Sequence, residues 1–319
     1  MFDTFTAGRS GLLDAGGSDS GSVGGGTRFV EGGGSTANSL FGGISSYQPC
    51  ACCMRFHGAN ATGDGGGLGA LLNGDDRGVV GSTNNKPSLS TTDAGSQITR
   101  TNNSWAAGLG QAATVTFAFR VSAPTMPTDT TGFSQFSAQQ IAATLQSLAA
   151  WSDVANITFT QVTDPGSNYS NNATILFGNY SSGQDGAAAF AYLPGTSPGF
   201  SGASAVQGDV WVNNSLSYNA APVLYGYGTQ TLLHEIGHAI GLSHPATYNA
   251  SAGQSITYGA NAIYFEDSRQ YTVMSYFTER ETGADFRLGG TQHFASAPLM
   301  DDIAAAHRLY GANTTTRPG

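Results

Sequence analysis

The chain has 319 residues, of which 10% are charged and 39% are hydrophobic, and its formal net charge is -9. This length fits one large domain or two small ones. An acidic chain with 12 scattered basic residues has no basic stripe to neutralise a phosphate backbone, and no stretch reaches the roughly 18 apolar residues of a membrane helix. We therefore expect neither nucleic acid binding nor membrane insertion, and the first residues do not resemble a Sec-type signal.

The first hundred residues are predicted to be rich in loops. They hold 23 of the 45 glycines, in runs such as GSVGGGT and GDGGGLGALLNG, and lack periodic apolar patterns. All three cysteines lie here, and since they fall within four residues they cannot join distant segments. We expect a glycine-rich N-terminal segment over residues 1–100 and a folded domain over residues 101–319.

After this segment the pattern predicts strands and one helix. Residues 112–121 (AATVTFAFRV) alternate apolar and small or polar side chains, which indicates a first strand. Ser137 then opens a helix of about four turns, with Gln140 as its capping-box partner. Ile141, Leu145 and Leu148 share one helical face. Further strands are predicted over residues 157–162, 173–178, 187–194 and 208–213. This order favours a mixed α/β sheet.

Two further helices are predicted in the last third of the chain. The first covers residues 229–242 (TQTLLHEIGHAIGL) and is ended by Gly241, and residues 245–297 are irregular. The second begins near Pro298, has Asp301 and Asp302 at the positive end of the helix dipole, and is ended by Gly311.

The segment HEIGHAIGLSHP predicts a metal site. His234 and His238 are four positions apart, so both imidazoles project from one face of a helix and can bind the same ion. Gly241 lets the backbone leave the helix with positive φ, which returns His244 as the third ligand. Three neutral imidazoles with an open fourth position favour Zn²⁺ in a catalytic site.

Glu235 follows the first ligand directly. A carboxylate in this position can take a proton from metal-activated water while the water attacks a carbonyl carbon, which is the role of a general base. Any one of these histidines alone would be interpreted as a satisfied core residue. Three histidines, a glutamate and a glycine at these spacings make coincidence a poor explanation.

The pattern HExxHxxGxxH is the signature of the metzincin zinc proteases, and the chain resembles the serralysins among them, which are secreted bacterial endopeptidases. Their second hallmark is a methionine turn, and Met274 in YTVMSYF matches it. The segments WSDVANITFTQV, AFAYLPG and APLMDDIAAAHRLYGAN also resemble serralysin segments, in the serralysin order. The resemblance implies an α/β (α+β) catalytic domain with a twisted mixed five-stranded sheet, an active-site helix, a Met-turn and a C-terminal helix.

The resemblance also implies roles for further residues. Tyr276 would be a zinc ligand in the resting enzyme and a hydrogen-bond donor to the tetrahedral intermediate, although a tyrosine that only packs its ring is the alternative. The edge strand for an extended substrate would be formed by Ala189, Phe190, Ala191 and Tyr192. The alternative is a simple buried strand.

The chain departs from the serralysin pattern in two respects. Serralysins continue into calcium-binding glycine and aspartate repeats that carry a type I export signal, so calcium is expected only in a repeat domain that this sequence does not contain. The N-terminal segment is also long and holds Cys50, Cys52 and Cys53. One of these thiolates could bind zinc and keep the enzyme latent, with Cys52 the weak choice, or the segment could block the cleft sterically. The alternative is that the cysteines are small buried residues, or that two of them form an accidental disulfide with each other.

We therefore expect a secreted or cell-surface zinc endopeptidase that acts on protein or peptide substrates and has its own N-terminal segment as an intramolecular inhibitor. The competing class is a non-catalytic pseudoprotease that uses the same fold for binding. That class is favoured where a ligand or the general base has been lost, and none is lost here.

Overall fold

The computed structural model describes residues 77–78, 84–127, 129–164, 166, 173–184, 187–194, 206–249 and 255–316, and the backbone of residues 12–14 and 82–83. Cys50, Cys52 and Cys53 lie outside the described residues. In chain order the strands are β1 (Leu12–Asp14), β2 (Ser82–Thr83), β3 (Lys86–Pro87), β4 (Ala113–Phe119), β5 (Thr130–Thr131), β6 (Ile157–Gln161), β7 (Ile175–Tyr180), β8 (Ser182–Gly183), β9 (Ala189–Tyr192), β10 (Val210–Asn213), β11 (Arg287–Leu288) and β12 (Thr291–Gln292). The helices are α1 (Thr91–Ile98), α2 (Ala138–Val154), α3 (Ser217–Ala220), α4 (Tyr227–Ala239), α5 (Tyr258–Asn261) and α6 (Met300–Tyr310), with a 3₁₀ turn at Glu279–Thr282.

The central sheet has the strand order β1-β9-β10-β7-β4-β6. From β6 to β10 the strands are parallel, and β9 is antiparallel to β10. These five strands confirm the predicted mixed five-stranded sheet. The sixth strand, β1, comes from the N-terminal segment and pairs antiparallel with the outer edge of β9, with Leu13 opposite Ala191.

Helix α2 begins as the sequence predicts. The Ser137 side chain accepts from the backbone N–H of Gln140, and the Gln140 side chain accepts from the backbone N–H of Ser137, which is a complete capping box. The predicted buried face is only partly right, because Leu148 is buried but Leu145 is 40% exposed. Trp151 fills the core instead, and its indole N–H donates to the carbonyl of Leu233 in α4. Ala143, Thr144 and Ser147 of α2 are buried as well.

Helix α1 was not expected in a segment predicted to be rich in loops. Ser90 caps it by accepting from the backbone N–H of Asp93, and Ile98 is fully buried. The helix packs closely on α6, since a Cβ built on Gly95 would lie 2.9 Å from the backbone of Ala304. The boundary after residue 100 stays a prediction, and the structure places α1 against the C-terminal helix.

Helix α4 lies at the centre of the molecule. All 13 of its residues are buried, between α2 on one side and β9 and β10 on the other. It begins two residues before the predicted start and ends three residues before the predicted end. In the part of the chain that the structure describes, no helix is both long enough and apolar enough to cross a membrane.

Candidate metal centre

Three histidines converge at the end of α4. The Nε2 atoms of His234 and His238 are 2.9 Å apart. The Nε2 atom of His244 lies 3.2 Å from that of His234 and 3.1 Å from that of His238. Gly241 makes this possible, because the chain leaves the helix there at φ +111° and a Cβ would lie 2.0 Å from the carbonyl oxygen of Asn103. Glycine is therefore required by both conformation and space.

The three ring nitrogens fit a zinc ion. Nitrogens bound tetrahedrally to one Zn²⁺ at roughly 2.0–2.1 Å are about 3.4 Å apart. The observed separations are only slightly shorter. Among the described residues no other group of three histidine, cysteine or carboxylate side chains is close enough to share an ion.

The protonation of the histidines also suits a metal. Each Nδ1 donates to a backbone carbonyl, at 2.7 Å from His234 to Val273, 2.6 Å from His238 to Leu242 and 2.8 Å from His244 to Tyr248. These bonds fix the tautomer and direct the Nε2 lone pairs toward the common point. Burial lowers the pKa of His234 and of His238 well below the usual range, so both rings are neutral.

Two further predicted residues lie near the histidines. Glu235 is fully buried and follows His234 in α4. Tyr276 is 4% exposed, and its ring centre lies 4.4 Å from that of His244 in an edge-to-face contact. The sequence predictions for these positions are compatible with this placement, and their roles in catalysis remain proposals.

Met274 packs against the helix that carries the first two histidines. It is fully buried, and its Sδ would lie 2.6 Å from a Cβ built on Gly237, which sits between His234 and His238 in α4. The Met274 side chain can contact α4 directly only because residue 237 is a glycine. The methionine therefore supports the helix turn that carries two ligands.

The loop that carries Met274 is held by Asp302. The Asp302 carboxylate accepts from the Thr272 hydroxyl at 2.5 Å and from the Val273 backbone N–H at 2.9 Å. The carbonyl of Val273 in turn accepts from His234. Helix α6 thus positions the first ligand through this loop, although the sequence assigned Asp302 only to the helix dipole.

Tyr248 is a second support that sequence reasoning missed. Its ring stacks on His244 with the ring centres 5.3 Å apart and the planes at 17°, and its carbonyl accepts from His244. Its hydroxyl donates to Asp267 at 2.8 Å, and Ser275 donates to the same carboxylate oxygen at 2.7 Å. No local sequence pattern predicts these contacts of Tyr248. By contrast, the glycine inside HEIGH does indicate that another part of the chain, here Met274, lies close to the helix at Gly237.

The predicted edge residues form β9. Ala189, Phe190 and Ala191 are fully buried, and Tyr192 is partly exposed. Strand β9 is the last strand of the five, with β10 on its inner side and β1 on its outer side. Strand β1 also lies beside α4, which carries the first two histidines.

Comparison with known proteins agrees with this geometry. Residues 118–286 match Metallo-peptidase family M12. The chain is 46% identical over 250 residues to metallopeptidase AprA of Pseudomonas marginalis, covering 76% of this chain and 50% of that protein. It is 47% identical over 251 residues to serralysin C of Dickeya chrysanthemi, covering 78% and 50%. The chain therefore spans about half the length of these relatives.

Proposed function

The chain belongs to the metallopeptidases of family M12 and is of serralysin type, and from this we propose that the protein is a secreted zinc endopeptidase that hydrolyses protein substrates. One observation carries the proposal. Three buried Nε2 atoms meet within 2.9–3.2 Å, and the opposite nitrogen of each ring donates to a backbone carbonyl. This donor set suits zinc.

In the proposed mechanism His234, His238 and His244 would hold the ion, and Tyr276 would be a further ligand in the resting enzyme. A bound zinc ion would supply a more acidic water and a positive charge that polarises the attacked carbonyl. Glu235 takes the proton from the attacking water and passes it to the leaving amine. The Tyr276 phenol then donates a hydrogen bond to the oxygen on which negative charge develops.

The substrate is proposed to bind as an extended strand along the outer edge of β9. An added strand gains main-chain hydrogen bonds whatever its side chains are, which suits an endopeptidase acting on many sequences. The antiparallel pairing of β1 with β9 supports this choice, because it occupies the edge in the manner proposed for a substrate.

The same pairing supports latency. While β1 lies on β9, a substrate cannot form its main-chain hydrogen bonds with that edge. We therefore favour steric blockade by the N-terminal segment over zinc ligation by a cysteine. The thiol hypothesis concerns Cys50, Cys52 and Cys53, which lie outside the described residues.

The catalytic proposal is tested by Glu235→Gln. The variant is expected to retain zinc, measured by atomic spectroscopy, and to lose several orders of magnitude in peptide hydrolysis, because the base is gone and the ligands remain. Glu281→Gln makes the same change on an exposed residue and should cleave like the parent chain. These assays use the chain from which the residues before Arg77 have been removed, so that β1 is absent while Arg77 and α1 keep their contacts. A zinc-loaded parent without hydrolysis would favour the pseudoprotease.

Latency is tested on the intact chain with two variants. Replacing the three cysteines with serine gives an active chain if a thiolate blocks zinc, and an inactive one if the block is steric. Replacing both Leu12 and Leu13 with proline removes consecutive strand N–H groups and should release the edge without any cleavage. Full activity of the unaltered, uncleaved chain would reject both forms of latency.

A further inference from the structure

The turn that carries His244 has no regular structure of its own. His234 and His238 lie in α4, but His244 follows the end of that helix, and residues 240–246 belong to no helix or strand. Each residue of this turn is buried. Buried carbonyls need hydrogen-bond donors, and without a helix or strand these must come from side chains or from other segments. The source of those donors decides how firmly the third ligand is held.

Helix α1 and the residue just after its cap supply these donors. Residues 244–246 present three consecutive carbonyls, and each accepts a side-chain hydrogen bond. The amide Nε2 of Gln97 donates to the middle carbonyl at 2.9 Å. The guanidinium of Arg100 donates to the first carbonyl at 2.7 Å through Nη1 and to the last at 3.0 Å through Nη2. The backbone N–H of Ser243 in turn donates to the carbonyl of Ile98 at 2.8 Å. The turn is thus attached to α1 along its second half.

The chain after α1 continues the same contact along the end of α4. The Trp105 indole N–H donates at 2.7 Å to the carbonyl of Ala239, the last residue of α4. The carbonyl oxygen of Asn103 lies 2.0 Å from the position of a Cβ built on Gly241. All of these contacts are made to the backbone that leads to and forms the turn. The side chains of α1 therefore fix the path of the chain and do not themselves touch the ion.

We propose that Gln97 and Arg100 are positioning residues of the metal centre, which hold the backbone of the His244 turn where the third imidazole reaches the zinc ion. A metal site needs its ligands within about 0.5 Å of the productive geometry. Helix α4 itself supplies that rigidity for the first two histidines, whereas the third depends on α1. The end of the segment predicted over residues 1–100 then belongs to the metal centre. This role of α1 rests on the proposed zinc site.

The first test changes one donor in the intact chain. Gln97→Glu keeps the shape of the side chain and removes the N–H group that donates to Pro245. Zinc affinity, measured by competition with a chelator, should fall about three- to tenfold, because one hydrogen bond is lost and a carboxylate faces a carbonyl. The matched control is Gln139→Glu, since Gln139 of α2 donates to the carbonyl of Pro222 at 3.0 Å. The control should bind zinc like the parent chain.

A second pair of variants separates positioning from stability. Arg308 of α6 donates to the carbonyl and the hydroxyl of Thr99 and to the side-chain oxygen of Asn102, so these bonds hold the same end of α1 but do not end on the turn. Arg100→Met and Arg308→Met should both lower the Tm of the metal-free chain, but only Arg100→Met should weaken zinc binding. Added to the glutamine change, it should bring the loss of affinity to about tenfold or more. With cobalt(II) as a probe, the visible absorption should show an altered ligand geometry in Arg100→Met and not in Arg308→Met.

The outcomes separate this role from the proposed function. Parent-like zinc affinity in both Gln97→Glu and Arg100→Met, or equal weakening in the variants and their controls, would overturn the positioning role. If Gln97→Glu does not fold, the two arginine variants decide the question by themselves. A parent chain that binds no zinc would instead refute the proposed zinc site. A chain that shows the expected zinc affinities but hydrolyses no peptide would leave the positioning role intact and reject only the endopeptidase.

Discussion

Arg77 is expected to be a main contributor to stability although it lies within the segment predicted to be rich in loops. Its Nη1 and Nη2 donate to the two oxygens of Asp301 at 2.6 Å and 3.0 Å, and its Nε lies 3.7 Å from Glu266. All three side chains are fully buried. Replacing Arg77 with methionine preserves most of the side-chain volume. It removes the positive charge that these contacts place opposite the buried carboxylates of Asp301 and Glu266.

The structure supplies a control at the same distance. Arg287 and Asp285 also approach to 2.6 Å, but their side chains are 37% and 38% exposed. Removing one partner of a buried pair costs about 3–5 kcal/mol, because the other charge is left without compensation. Removing one partner of an exposed pair costs about 0–1 kcal/mol. Burial alone therefore predicts a difference of several kcal/mol between the two variants.

The assay is thermal and urea unfolding of Arg77→Met and Arg287→Met at pH 7. In a domain of this size about 1 kcal/mol corresponds to roughly 2–4 °C, so the first variant should lose about 6–20 °C and the second at most about 4 °C. Adding Asp301→Asn to Arg77→Met should recover part of the loss by removing one uncompensated charge. Equal losses in the two single variants would refute the reasoning from burial.

Two further predictions concern the support of the metal centre. Gly237→Ala should lower the free energy of unfolding by about 1–3 kcal/mol, because the new Cβ would lie 2.6 Å from Met274. It should also weaken zinc binding, measured by chelator titration. The control is Gly259→Ala, whose new Cβ would meet nothing within 4 Å and which should not change zinc binding. Burial raises the pKa of Asp267 to about 7. An aspartate whose folded pKa is raised favours folding at low pH and loses that contribution as pH rises from about 4 to 7, so Asp267→Asn should make the fall in Tm over this range less steep. If the dependence of Tm on pH is the same in the variant and the parent chain, Asp267 is ionised over this whole pH range and its pKa is not raised.

The sequence by itself determined the features that depend on neighbouring residues. The spacing of His234 and His238 follows from helix periodicity, and Gly241 follows from the need for positive φ. The capping box at Ser137 and the five strands of the central sheet were also predicted from local pattern, because hydrogen bonding within a helix and alternation within a strand repeat at fixed short intervals.

The tertiary structure decided which of several permissible faces is buried and which distant groups meet. Leu145 has the helical spacing of a core residue but is exposed, because Trp151 and smaller residues fill the contact with α4. Asp302 supports the Met274 loop, and Arg77 pairs with a residue 224 positions later. Such contacts have no period in the sequence, since they arise only when the packed core fixes the relative positions of segments far apart in the chain.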